Sequence, residues 1–301
     1  MTTNAVSTSN RVVVGILFMC AAGSLFPVMN GLVQVLSPRY STEQLVWARV
    51  TSHFLFILAL FGSTFGVGVL RTKQLKWQIG RSMVLLMSTA MFFSGVKYLP
   101  LAKASAISFA APFIVCLLAW PMLGERVSPA RIAAVAVGFL GVLFVIRPGG
   151  EIFQWASLLI LGSAACYALY QIVTRRLAGH DLPETSAIYS AVVGTVVMSL
   201  LVPFFWTMPL SWADAGLMFS LGIIGGLGHY CVARAMVYAP ANIIAPFAYW
   251  QMIGAVIVGY VITGLLPDLS TWIGAGVIIG AGLYIAWCET GRRGLVRTKP
   301  A

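Results

Sequence analysis

The residues of this chain with the most chemistry stand in pairs and short clusters inside long apolar runs. Phe26 and Asn30 are four apart, as are Tyr167 and Gln171, so each ring shares a helix face with an amide. Tyr249, Trp250 and Gln251 follow Asn242 and Pro246, and Ser108 precedes Pro112. Rings that stack, with amides and hydroxyls that donate and accept hydrogen bonds, suit a planar heterocycle bearing hydroxyls better than a multiply charged ion. Arg49 and His53, again four apart, add a cation and a group that can titrate near neutral pH. Arg49 could hold a substrate carboxylate or hydroxyls; the structural alternative pairs it with Glu43 or a helix C-terminus. His53 could couple a proton to solute movement, or pack as a hydrogen-bonded ring. The candidate binding set is therefore Phe26, Asn30, Arg49, His53, Ser108, Tyr167, Gln171, Tyr249, Trp250 and Gln251. Ordinary helix packing is the competing explanation for its aromatics.

Catalytic arrangements are missing from the sequence. There is no paired Asp for magnesium, no His-Asp or Cys-His set, and no Walker motif. The stretch Gly225-Gly226-Leu227-Gly228-His229 follows no strand and precedes no lysine, so it reads as close helix approach rather than a phosphate loop. The five cysteines (Cys20, Cys116, Cys166, Cys231, Cys288) lie in apolar runs without a CxxC pair. No catalytic residue, metal or cofactor is expected. Glu43, Glu184, Asp214 and Glu289 all sit near the ends of runs, which argues against a carboxylate-based ion site.

The elements that must position these groups follow from composition. The 301 residues are 59% hydrophobic and 9% charged, with a mean hydropathy of +0.92. Soluble domains hold roughly 25% charged residues, so lipid is the solvent this chain is built for. Ten runs are long enough to span: Val12–Leu36, Gln44–Val67, Ser82–Tyr98, Ala102–Leu123, Pro129–Ile146, Trp155–Arg175, Thr185–Phe204, Ala213–Val237, Asn242–Ile262 and Ser270–Cys288. The first reads as a retained helix, not a cleaved signal. Ser128, before Pro129, and Ser270 read as N-caps. Of the 19 Lys and Arg residues, Arg39, Arg49, Lys97, Lys103 and Arg147 fall on one face and the other fourteen on the opposite one. The positive-inside rule then puts both termini in the cytoplasm. The +11 formal charge thus sets topology, and no nucleic-acid partner is expected.

The chain also matches itself. At an offset of about 141, Phe26 falls on Tyr167, Asn30 on Gln171, Glu43 on Glu184, Ile132 on Ile273 and Gly141 on Gly282. At 140, Tyr98-Leu99-Pro100 falls on Tyr238-Ala239-Pro240 and Gly124 on Gly264. Two repeats, 1–150 and 151–301, of five helices each require the second copy to lie inverted. The expected fold is an all-α membrane protein of ten transmembrane helices in a 5+5 inverted repeat.

The segment Tyr98-Leu-Pro-Leu-Ala-Lys-Ala-Ser-Ala-Ile-Ser-Phe-Ala-Ala-Pro112, then Leu123-Gly124-Glu125-Arg126 with Ser128-Pro129, and Arg49 in the second helix resemble the EamA domain of the drug/metabolite transporter superfamily. Both halves share the resemblance. The chain departs from it at Gly23-Ser24-Leu25-Phe26, where a Trp-Gly pair is common, and at Gly264-Leu265 in the second copy. The stretch Ala245-Pro246-Phe247-Ala248-Tyr249-Trp250-Gln251 is similar to the branch that takes up riboflavin and S-adenosylmethionine. The resemblance implies a 5+5 inverted repeat with a central cavity, and the inverted repeat points to a multi-pass carrier of the bacterial inner membrane working by alternating access on a small-molecule substrate. Riboflavin uptake is the specific expectation; export of amino acids or related metabolites and S-adenosylmethionine uptake are the alternatives. Gly276-x-x-x-Gly280 is read as packing on the fifth helix, with a homodimer seam as the other option.

Overall fold

A computed structural model describes residues 2–65, 71–124, 128–148, 155–177, 183–238 and 244–296. Every element in them is helical: α1 (Thr2–Leu36), α2 (Thr42–Phe65), α3 (Leu75–Val96), α4 (Leu101–Ser108), α5 (Ala111–Leu123), α6 (Pro129–Ile146), α7 (Ala156–Leu177), α8 (Pro183–Leu201), α9 (Trp212–Tyr238), α10 (Trp250–Thr263) and α11 (Leu269–Val296). Short 3-10 turns occupy Val202–Phe204 and Ala245–Tyr249. Glu125, Arg126 and Asn242 lie outside the described residues. Six segments among those described are long and apolar enough to cross a membrane, and three shorter apolar helices accompany them.

Two runs that hydropathy reads as continuous are broken. The chain turns at Phe109 and Ala110, separating α4 from α5. Pro112 explains the stop, because its ring removes an N–H and clashes with the carbonyl four residues earlier. The second break is the 3-10 turn Ala245–Tyr249, which carries Pro246 and leads into α10. The breaks are mates at an offset of 140, and the Phe109 and Tyr249 rings meet with centroids 4.9 Å apart. The C-caps beyond them are mates too: Gly124 and Gly264 each take φ +69°, the left-handed conformation glycine adopts without a Cβ penalty.

Packing follows the same exchange. Helix α1 packs on α9 and α10; its mate α7 packs on α3 and on α4 with α5. Likewise α2 lies on α9 as α8 lies on α3, while α2 with α8 and α6 with α11 are self-paired mates. The Tyr40 hydroxyl, just past α1, donates to Asp214 at the start of α9. At the opposite end, Arg176 near the end of α7 lies 4.8 Å over the Trp77 ring at the start of α3. So α1 and α7 finish on different faces.

Two capping and packing expectations change. Asp268, not Ser270, starts α11: its carboxylate accepts from the Thr271 N–H at 3.1 Å and the Ser270 hydroxyl at 2.7 Å. Asp268 stands just before Leu269, so its carboxylate reaches the first-turn amides as an N-cap does, whereas Ser270 is already inside the helix. In α11, Gly274 packs against Gly141 and Val145 of α6, and Gly282 against Tyr249, but Gly276 and Gly280 have no neighbour within 4 Å of an added Cβ. The contact with the fifth span is made one face away from the predicted pair. The start of α3 also precedes its predicted Ser82, because Gln78 and Arg81 are buried with polar partners rather than left to a loop. Arg81 donates to Thr174 at 3.1 Å and Ser190 at 2.8 Å.

Candidate functional site

A cavity of about 190 Å³ opens where α1, α2, α3, α4, α7, α9 and α10 converge. Its walls come from both halves. Phe26, Met29 and Asn30 line it from α1, Arg49 from α2, and Ser88, Thr89, Phe92 and Phe93 from α3. Ser108 lines it from α4, with Ser163 and Tyr167 from α7, His229 from α9 and Gln251 from α10.

Glycines of α9 bring these walls close. A Cβ at Gly222 would meet Ser52 and the α2 backbone, at Gly226 the His53 ring at 2.8 Å, and at Gly228 the Phe26 ring at 2.8 Å. The Gly222 N–H donates to the Ser52 hydroxyl at 3.1 Å across that seam. On the other side Ser88 and Ser163 exchange bonds, the Ser88 hydroxyl donating to the Ser163 carbonyl at 2.9 Å and the Ser163 hydroxyl to the Ser88 carbonyl at 2.7 Å. Such interhelical bonds contribute about 0.6 kcal/mol each in a bilayer, so they fix register while close packing holds the wall.

Arg49 is buried, at 8% exposure. Its Nη1 donates to the Thr89 hydroxyl at 3.2 Å, and its Cζ stands 6.0 Å from the Phe93 ring centroid. Its Nε has no hydrogen-bond partner. Among the described residues no carboxylate pairs with it, Glu43 included. His229 stands edge-on to Phe26 at 5.2 Å and stacks on His53 at 6.1 Å with rings 12° apart.

Of the ten residues predicted from sequence, Phe26, Asn30, Arg49, Ser108, Tyr167 and Gln251 line the cavity. Four do not. His53 lies behind His229, and Gln171 is half-buried one turn beyond Tyr167. Tyr249 turns its ring to Phe109 and Gly282. Trp250 is 44% exposed, and its indole N–H donates to the Ser24 hydroxyl at 3.0 Å. It borders a separate crevice of about 470 Å³ between α10 and α11, with Phe247, Ile253, Ile257, Trp272 and Gly276. The contribution of α3 was missed, although the Ser88-Thr89 doublet in an apolar run is a signal for it.

At the face shared by the α6 and α11 ends, Arg147 pairs with Asp268 at 3.3 Å. Burial pushes the Asp268 carboxyl up, but hydrogen bonds from Thr271 and Ser270 and the Arg147 charge outweigh it and hold the group below the usual range.

Apolar helices converging on a cavity lined by rings, amides and hydroxyls are an arrangement that suits a membrane transporter. The family model of EamA-like transporters matches residues 12–147 and again 154–287, and the chain belongs to that family. It is a multi-pass inner-membrane protein. The chain is 27% identical over 279 residues to a riboflavin transporter of Vibrio cholerae serotype O1, covering 92% of this chain and 94% of the relative. It is 28% identical over 233 residues to an S-adenosylmethionine uptake transporter of Rickettsia conorii, covering 77% and 79%. It is also 26% identical over 286 residues to a pseudopaline exporter of Pseudomonas aeruginosa, covering 92% and 97%.

Proposed function

We propose that this transporter imports a small heterocyclic metabolite, riboflavin first among candidates, by alternating access. The reading takes the chain as ten spans in a 5+5 inverted repeat, 1–150 and 151–301, with both termini cytoplasmic. The observation that carries it is the composition of the cavity wall: rings and amides from the two halves, Phe26 and Asn30 against Tyr167 and Gln251, at the repeat interface. The exchange of packing partners between halves supports two openings related by a pseudo-two-fold axis around one site. The riboflavin and S-adenosylmethionine relatives support uptake of a molecule with a planar ring system.

Volume adds a condition. Sites for drug-sized ligands measure about 300–1,000 Å³, and the cavity here is about 190 Å³. Riboflavin must therefore enter a wider state, and the breaks after Ser108 and before Trp250 are the places to hinge. Radiolabelled riboflavin uptake by proteoliposomes tests the reading; saturable flux blocked by unlabelled riboflavin supports it, and unsaturating flux of many solutes sinks it. The second reading, export of amino acids or related metabolites, is favoured by Arg49 and the small cavity, and by the pseudopaline relative. Counterflow from leucine-loaded vesicles separates the two. The open faces of Gly276 and Gly280 support a homodimer seam, tested by cross-linking a Gly276→Cys variant in membranes.

A further inference from the structure

Building on the import reading, we propose that the central cavity selects a solute carrying an anionic oxygen group, which docks on Arg49 while its ring lies between Phe26 and Tyr167. Arg49 is the one side chain of fixed charge among the described residues lining the cavity. A guanidinium stays protonated in a protein, and taking it out of water is costly unless it is paired. Intramembrane cations normally face a partner charge or a solute path. Here the partner charge is missing: the Thr89 hydroxyl supplies one neutral bond, Nε is unmet, and no described carboxylate reaches the group.

The surroundings keep Arg49 in place instead of neutralising it. The Thr89 hydroxyl donates its own proton to the Leu85 carbonyl at 3.0 Å, which leaves its lone pairs for the Nη1 bond. A Cβ at Gly225 would sit 3.7 Å from Nε, so α9 flanks the group without a side chain. His229 on the cavity wall, with His53 stacked behind it, brings no negative charge to the group. A carboxylate or phosphate oxygen completes this set with charge-assisted bonds that a neutral hydroxyl cannot equal.

Matched pairs that differ in the anionic group test the proposal on the purified full chain: riboflavin 5′-phosphate against riboflavin, S-adenosylmethionine against its carboxamide, and leucine against leucinamide. Thermal shift reads binding, since a ligand of the folded state raises Tm. In at least one pair the anionic member should act at about tenfold or more lower concentration, the scale of a hydrogen bond to a charged group. Arg49→Gln should abolish that preference and Arg49→Lys retain part of it. If Arg49→Gln does not fold, the wild-type pairs still decide. A neutral member that binds as well as its partner in every pair, or no binding by any, overturns the inference. Saturable riboflavin flux without an anionic preference overturns it while leaving the import reading; an anionic preference in a ring-bearing pair, without heterocycle flux, does the reverse.

Discussion

Two cavities among the described residues are lined by similar rings and set them beside opposite kinds of neighbour. The central one sets Phe26, Phe92, Phe93 and Tyr167 beside an arginine, an asparagine, a glutamine and three serines. The crevice between α10 and α11 sets Phe247, Trp250 and Trp272 beside aliphatic side chains and one open glycine, Gly276. In a bilayer the outer surface is as apolar as the interior, so ring content does not tell a site from a lipid-facing groove. The discriminating property is whether polar groups converge with the rings and are covered by a second helix. Arg49, at 8% exposure, meets that condition, and Trp250, at 44%, does not.

The largest expected effect breaks the central wall and spares the crevice. A Cβ at Gly222 runs into the backbone of α2, which cannot swing aside as a flexible side chain would. Gly222→Ala should force α2 and α9 apart and remove most correctly folded protein from the membrane fraction, as judged by monodisperse yield in detergent. Within one chain Gly276→Ala meets open space and gains helix propensity of about 1 kcal/mol, so the yield and Tm of the monomer should equal or exceed the wild type. Equal loss in both variants would erase the distinction between the two cavities.

Next in size is the transport comparison. Arg49→Ala should lower kcat/KM for the transported solute by about 10–100-fold, the range of one charge-assisted hydrogen bond. Trp250→Ala should leave it within about threefold, because truncating a half-exposed ring bonded to Ser24 changes lipid contact and not the cavity. A collapse of uptake in Trp250→Ala, with insertion intact, would move the site toward the crevice.

Trp250 also shows where the sequence stops being legible. Tyr249, Trp250 and Gln251 read as one cluster, yet neighbours on a helix point about 100° apart, so all three cannot face one cavity. Gln251 faces in, Trp250 faces out, and Tyr249 ends the 3-10 turn against Phe109. Pairs four apart fare better in direction but not in depth: Tyr167 reaches the cavity and Gln171, one turn further, does not. The apolar helices and the doubled family domain were legible because hydropathy and self-similarity accumulate over many residues. The breaks after Ser108 and before Trp250 were not, since an average over a window does not register a two-residue turn. Arg81 misled the start of α3 for a related reason, as its partners Thr174 and Ser190 lie far along the chain.

The smallest effect is at Asp268, where α11 begins before running on to form one side of the crevice. The folded carboxyl is held below its ordinary value, so the ionised form is bound more favourably in the folded chain than in the unfolded one. Its contribution is fully present above about pH 4, the unfolded value, and is lost as pH falls through the lower folded value. Asp268→Asn keeps an N-cap acceptor for Thr271 but removes the charge facing Arg147. Because that pair is exposed and screened, Tm at pH 7 should drop by about 1–3 °C at most. The gap between wild type and variant should close as pH falls from 5 to 3. Uptake KM should not move, since Asp268 touches neither cavity wall. A gap that widens toward acid would mean that the carboxyl is protonated in the folded state and that Arg147 does not act on it.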